Sequence, residues 1–202
     1  NEYGPDTTSS DTGAGVRGLK SGFNARVRLV GLGTGTSFGA MQPDFSLQIA
    51  HSDITAEDVL QLSQALNLTD NAPIVLSYLE RDFGANWFTN FMQMKVGATE
   101  RDENNKRIPA PDSVAYWAQS VGVHERSAES LRTKLGRIEQ RNYLVDQPAS
   151  NGLDDIIKNL EEGRHVVLSF GNNDGELDYL LVTNLITRKI RDHWEYLTNQ
   201  FH

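Results

Sequence analysis

The sequence contains no cysteine. This absence excludes disulfide bridges, zinc sites built from thiolates and a cysteine nucleophile. The chain also lacks any apolar run near the roughly 18 residues that a membrane-spanning helix requires, and it does not open with a charged-then-apolar leader. We therefore expect a cytoplasmic protein without a membrane contact.

Positive charge is also scarce. The 202 residues include 19 Lys and Arg against 27 Asp and Glu, which gives a net charge of −8. A surface that binds duplex DNA needs cations to neutralise phosphates, so any DNA contact must be local. The remaining composition, 38% hydrophobic and 23% charged, is typical of a globular protein, and the length fits one domain or a core with an inserted subdomain.

Two glycine-rich stretches resemble phosphate-binding loops without completing one. Residues 13–21 nearly spell a Walker A motif, but Leu19 separates the glycine from the lysine, and no apolar strand precedes them. Residues 31–35 follow a predicted strand, yet Thr36 stands where the third glycine of a dinucleotide fingerprint belongs. Residues 13–21 are therefore interpreted as a plain loop, and residues 31–35 as a hairpin-like turn.

Motifs for metal binding and nucleophilic catalysis are missing too. The five histidines show no paired spacing, no serine lies in a nucleophile elbow, and no carboxylate pair has a spacing that indicates catalysis. We expect no metal site and no complete catalytic site in this chain.

The first half of the chain changes from a strand period to a helix period. Residues 23–30 and 44–50 alternate between apolar and polar, which predicts two strands, the first of them half-buried. Thr55 begins a helix through a capping box, and Thr69 is predicted to cap the next helix. The polar stretch 97–111 contains two prolines and is predicted as a flexible loop.

The last fifty residues have the most regular pattern. Asn151 precedes apolar residues at helical spacing, and Gly163 is predicted to end that helix. Residues 166–170 are apolar on both faces, which is typical of a buried central strand. A long helix is predicted over 176–199, with a first half buried nearly all round.

One alternative function arises from residues 112–141. Two predicted helices joined by a glycine turn at Gly122 resemble a helix-turn-helix, and Lys134, Arg137 and Arg141 would form a basic stripe for DNA. The opposing acidic residues on the same helix are Glu125, Glu129 and Glu139. A non-enzymatic DNA-binding or adaptor module therefore stays open as an alternative.

Three stretches in order resemble HerA-type DNA-translocating ATPases. Residues 1–4 (Asn-Glu-Tyr-Gly) resemble the end of the family's Asp-x-x-Gly/Asn-Glu-Tyr segment. The helical block 69–141 is similar to the family's helical insertion in length and character. Residues 163–171, followed by 180–190, resemble the family's passage from a glycine through a strand and a Phe-Gly turn to a long helix.

The resemblance implies an α/β fold, a partial RecA-like P-loop ATPase core with an all-helical insertion subdomain. Residues 1–52 and 151–202 would belong to the core and 53–150 to the insertion. The whole protein would be a hexamer that uses ATP and Mg²⁺ to move along double-stranded DNA, with a nuclease as a possible partner. A weaker alternative is an ATPase relative that serves only as a protein-interaction scaffold.

The same resemblance implies where the nucleotide is bound. The Walker A residues would lie before Asn1 and the Walker B carboxylates after His202, so this chain would hold no cofactor and would be inactive by itself. Glu2 would lie near the nucleotide or the coupling machinery of the whole protein. The favoured interpretation is nevertheless that Glu2 is a frayed residue near the first position.

Overall fold

The computed structural model describes residues 19–36 and 42–200. Glu2 and the glycine-rich stretch 13–18 lie outside the described residues. The fold is a mixed α/β fold that divides into two compact units. Of the described residues, the first unit contains 19–36, 42–49 and 148–174, and the second contains 50–147 and 175–200. The sequence analysis grouped 151–202 together, whereas the units divide this stretch between Asp174 and Gly175.

The first unit is built on a three-stranded parallel sheet in the order β2–β1–β7. Its strands are β1 (Val27–Leu32), β2 (Phe45–Leu47) and β7 (His165–Ser169). A short helix, α1 (Leu19–Phe23), and a 3-10 turn (Asn24–Arg26) lead into β1. The predicted strand over 23–30 therefore starts four residues too early.

The order and direction of the strands in the sheet correct three further predictions. β1 is the central strand and is buried on almost every residue, whereas the sequence predicted a half-buried strand. β7 is an edge strand among the described residues, with half-buried side chains, although its apolar pattern predicted the central one. Because β1 and β2 run parallel, the turn after β1 is not the predicted hairpin.

Helix α7 (Gly152–Glu161) completes the first unit and packs on the sheet. Leu153 and Ile156 are its buried apolar residues, as their helical spacing predicts. Gly152 allows the close approach, because an added Cβ would lie 3.1 Å from Leu47 Cδ1. Gly163 ends the helix at a φ of 70°, as predicted. The chain then passes to β7 through Arg164. Earlier in the sequence, strand β3 (Ile49–Ala50) lies where the chain enters the second unit.

The second unit is largely helical. Its helices are α2 (Ala56–Gln61), α3 (Ala72–Phe83), α4 (Trp87–Gln93), α5 (Val114–Val121), α6 (Glu125–Glu139) and α8 (Glu176–Gln200). The short elements are 3-10 turns at His51–Asp53 and Gly84–Asn86 and strand β6 (Leu144–Val145). Helix α6 packs against α3, α4 and α5, so it lies inside this unit.

Local capping signals are confirmed at one helix start and wrong at another. Thr55 and Asp58 form the predicted capping box: Thr55 Oγ1 accepts from Asp58 N at 3.2 Å, and Asp58 Oδ2 accepts from Thr55 N at 2.9 Å. Helix α3, however, has Asn71 at its N-cap and not Thr69. Pro73 lies in its first turn, as predicted.

The predicted flexible loop over 97–111 is a β-hairpin. Strands β4 (Thr99–Arg101) and β5 (Arg107–Pro109) pair antiparallel. The turn between them is held by Asp102, whose Oδ1 accepts from Asn104 N at 2.9 Å and from Lys106 N at 2.8 Å. Such a side-chain-to-backbone turn needs polar residues, which is why the composition resembled that of a mobile loop.

Helix α8 is buried over part of its length only. Its buried apolar residues are Leu177, Leu181, Val182 and Leu185. Leu180 is 37% exposed, so the prediction that the first half is buried all round is wrong. Trp194 and Tyr196 in the second half are exposed. Among the described residues, no helix is both long and apolar enough to cross a membrane.

Candidate functional site

The carboxyl edge of the parallel sheet is where ligands bind in open α/β folds. Here β1 is followed by residues 33–36 and β7 by residues 170–173. Thr36 joins the two turns: an added Cβ at Gly31 would lie 3.0 Å from Thr36 Cβ, and one at Gly171 would lie 2.9 Å from Thr36 Oγ1. Both glycines are therefore required by close packing around one threonine.

Hydrogen bonds fix this turn to the sheet. The Thr36 hydroxyl donates to Leu32 O at 2.6 Å, and Gly33 N donates to Leu47 O at 2.8 Å. Gly33 and Gly35 both have a positive φ, which favours glycine. The turn is preorganised, but residues 31–36 and 169–173 include no charged side chain, so this edge alone supplies neither a cation for a phosphate nor a general base.

Replacing Gly171 with alanine is expected to destabilise the first unit by about 2–4 kcal/mol. The left-handed backbone costs a residue with a Cβ about 1–2 kcal/mol, and here the new Cβ would also press against Thr36. Gly163→Ala is the matched control, because Gly163 has a φ of 70° with nothing within 4 Å of an added Cβ. Urea denaturation of both variants measures the difference, and equal costs would show that the Thr36 contact contributes nothing.

The opposite, amino edge of the sheet carries a charged groove of about 380 Å³. Asn159 Oδ1 accepts from Arg28 Nε at 3.3 Å and from Arg164 at 2.9 Å. Asp44 lies beside Arg28 and forms an ion pair with Lys20. Although burial alone raises the pKa of Asp44, the hydrogen bond from Lys20 and that from Leu29 N hold it below its usual value. Acidic and basic groups balance here, so the groove has no strong preference for one charge.

The three cations predicted to form a DNA-binding stripe have structural partners. Lys134 donates to Asn67 O, and Arg137 donates to Ala65 O at 3.1 Å. Both therefore bind carbonyl groups of the turn that follows α2. Helix α6 ends at Glu139, so Arg141 does not continue a stripe on that helix.

Arg141 belongs to a buried polar cluster that the sequence analysis missed. Its Nε lies 2.9 Å from Asp178 Oδ1 in an ion pair, and that oxygen accepts a hydrogen bond from the Tyr143 hydroxyl at 2.7 Å. Asp178 and Tyr143 are almost fully buried. Burial, together with the hydrogen bond to Asp178, raises the pKa of Tyr143 far above its ordinary value. The cluster joins α8 to the segment after α6, because Arg141 compensates the buried carboxylate.

A second buried cluster joins α8 to α2. Arg188 forms a two-pronged pair with Asp58: Nε lies 2.9 Å from Oδ1 and an Nη 2.7 Å from Oδ2. The same Nη donates to Asp53 O at 2.7 Å. Burial alone lowers the pKa of Arg188, but the hydrogen bonds and charge of Asp58 raise it above its ordinary value. The sequence pattern predicted that Asp58 is part of the capping box at the start of α2. It did not indicate the distant partner, Arg188.

No described histidine takes part in a ligand set. His51 packs on Phe88 at a ring distance of 5.2 Å, and its Nδ1 lies 3.8 Å from an Asp146 oxygen. Burial lowers the pKa of His51 in spite of the charge of Asp146. Within residues 19–36 and 42–200, no group of histidine and acidic side chains could hold a metal ion.

Comparisons with protein-family models, with curated proteins and with solved structures find no match for this chain. The function therefore has to be inferred from the residues and their geometry.

Proposed function

We propose that this chain is an interior segment of a HerA-type, ATP-driven translocase of double-stranded DNA. The proposal includes a RecA-like core for the first unit, a hexameric whole protein, and ATP and Mg²⁺ bound by segments outside this chain. A partner nuclease and Glu2 as part of the coupling machinery belong to the same proposal.

The observation that carries the proposal is the path of the chain through its parallel sheet. After β2 the chain makes the helical block of the second unit and then returns through α7 to β7, which pairs parallel with β1. A RecA-like core interrupted by a helical insertion requires such a return. The ordered likeness of residues 1–4, 69–141 and 163–171 with 180–190 to the family supports the same interpretation.

The outer edge of β7 supports a larger sheet. Val166, Val167 and Leu168 are apolar but only half-buried, and among the described residues β7 pairs with β1 alone. All-parallel sheets normally have both faces covered and apolar strands inside. A further strand along β7 would give this segment the central position that its sequence indicates.

Catalysis is assigned to groups outside the segment. Phosphoryl transfer in P-loop enzymes relies on a lysine, a metal-binding hydroxyl and acidic residues placed around the phosphates. The turn after β1 has no lysine, and the hydroxyl of Thr36 is engaged with Leu32 O. The chain by itself is therefore expected to leave ATP unbound.

The test combines coding sequence with calorimetry. The flanking sequence should encode Gly-x-x-x-x-Gly-Lys-Ser/Thr upstream and an apolar strand ending in Asp-Glu downstream, and the whole protein should hydrolyse ATP faster with duplex DNA. Titration of the 202-residue chain with ATP and Mg²⁺ should show no micromolar binding. A start codon directly before Asn1, or nucleotide turnover by the isolated chain, contradicts the proposal.

A DNA-binding or adaptor module remains the second candidate, because α5 and α6 are two consecutive helices separated by a short glycine turn. α5 and α6 are joined through Gly122, which has a φ of 76°. The packing of one face of α6 against three helices and the carbonyl contacts of Lys134 and Arg137 favour a structural role instead. This candidate requires duplex binding that depends on those two residues.

A further inference from the structure

The β4–β5 hairpin places two arginines directly opposite each other. Arg101 and Arg107 are register partners, so their Cβ atoms lie about 4.5–5.5 Å apart on one face. Thr99 and Pro109 share that face, whereas the next pair, Glu100 and Ile108, points to the other. Like charges directly opposite each other destabilise a hairpin. An anion bound between the two guanidiniums would relieve this repulsion.

The contacts of both arginines are to neutral groups. Arg101 donates to Asn105 O at 2.9 Å and to Asn105 Oδ1 at 3.0 Å, and Arg107 Nε donates to Thr99 Oγ1 at 2.7 Å. Within the part of the chain that the structure describes, neither forms an ion pair. The nearby carboxylate of Asp102 accepts hydrogen bonds from the backbone of the turn.

Several other arginines of the second unit have carboxylate partners. Arg141 and Arg188 are paired with buried carboxylates, and Arg81 and Arg191 with exposed ones. Among the paired residues of the hairpin, the two exposed guanidiniums are the charged groups of one face, and Glu100 lies on the other face. A guanidinium has five N–H donors, so each still has several for a ligand.

We propose that the hairpin face of Arg101 and Arg107 binds the phosphate backbone of duplex DNA. This inference rests on the proposed function and names the element of the segment that touches the DNA. Guanidinium forks match phosphate oxygens, and a two-stranded β-ribbon fits the major groove. Contacts to phosphates carry no sequence information, which suits a protein that moves along any sequence.

The decisive measurement is the salt dependence of duplex binding. Fluorescence anisotropy of a labelled duplex of about 30 base pairs, titrated with the 202-residue chain between about 25 and 200 mM NaCl, gives the slope of log K against log salt. The slope is negative. The double variant Arg101→Gln/Arg107→Gln should reduce its magnitude by about 2, since each lost phosphate contact contributes about 0.9.

Two controls separate a local contact from net charge and from folding. Arg126→Gln/Arg191→Gln removes the same charge from exposed positions on other elements of the second unit and should leave the slope unchanged. Arg101→Lys/Arg107→Lys keeps the charge and should restore most of the slope. Circular dichroism of the variants establishes that each is folded.

Each remaining outcome decides the inference. An unchanged slope in the Gln variant overturns it, and so does equal competition by polyglutamate, which would indicate an acidic protein ligand. An absence of duplex binding at the lowest salt also overturns it, while the translocase proposal stands. Arginine-dependent binding in a protein whose flanking sequence lacks a P-loop supports the hairpin contact and overturns the translocase.

Discussion

Replacing Arg188 with methionine is expected to destabilise the second unit by about 3–5 kcal/mol, because removal of one partner leaves a buried charge uncompensated. The remaining carboxylate, Asp58, is only 3% exposed and would lose both prongs of its ion pair. Asp53 O would lose a donor as well. Methionine keeps much of the length of the aliphatic stem, so the loss is mainly electrostatic.

Urea denaturation followed by circular dichroism measures this loss. Arg191→Met is the matched control on the same helix, since that side chain is 57% exposed and its ion pairs lie at the surface. Its change should stay within about 0.5 kcal/mol. A similar cost for both variants would contradict a special role for Arg188.

A double variant tests the cause of the effect. Asp58→Asn removes the charge but keeps a side-chain oxygen for Thr55. Combined with Arg188→Met, it should recover a substantial part of the stability, because both members of the buried pair are then neutral. No recovery would mean that packing around Arg188, and not the orphaned charge, dominates the loss.

This pair also shows where sequence reasoning stops. Asp58 was predicted correctly as the carboxylate of a capping box, because it lies only three residues after the cap, Thr55. Arg188 lies 130 residues away, and no local pattern connects the two. The sequence predicted a long helix with a buried first half but not that the second half contributes a partly buried cation.

The sheet shows the same division between local and distant information. The strands themselves were predicted within a few residues from alternation and apolar runs. Their order was not, because among the described residues β7 is an edge strand and β1 the central one. This order depends on pairing across more than a hundred residues. The hairpin at 99–109 was missed for a different reason, since the polar residues that form its turn resemble those of a mobile loop.

At the candidate ligand edge, the sequence predicted a turn at residues 31–35 but not that it meets the turn after β7. Their meeting point is Thr36, and only the fold brings Gly31 and Gly171 to it. The basic stripe raises the same distinction. Spacing predicts which side chains share a helix face, while Lys134 and Arg137 bind carbonyl groups supplied by another segment.

The second large effect is expected at Trp87 in the core of the helical unit. Trp87 is 1% exposed, its Nε1 donates to Ile54 O at 2.8 Å, and its ring meets Phe88 edge-on at 5.5 Å. Trp87→Ala should cost about 3–5 kcal/mol, because it opens a cavity and leaves the buried carbonyl of Ile54 without its donor.

Trp194→Ala is the control for this substitution, because the same side chain is deleted at a position that is 49% exposed on α8. Its cost should stay below about 1 kcal/mol. Trp87→Phe separates the two causes, since it keeps most of the ring volume and removes only the donor, and it should cost about 1–3 kcal/mol. Circular dichroism in urea suits all three variants, because tryptophan fluorescence changes with the substitution itself. If Trp87→Ala and Trp194→Ala cost the same, the packing of α4 against the segment before α2 contributes little to the stability of this unit.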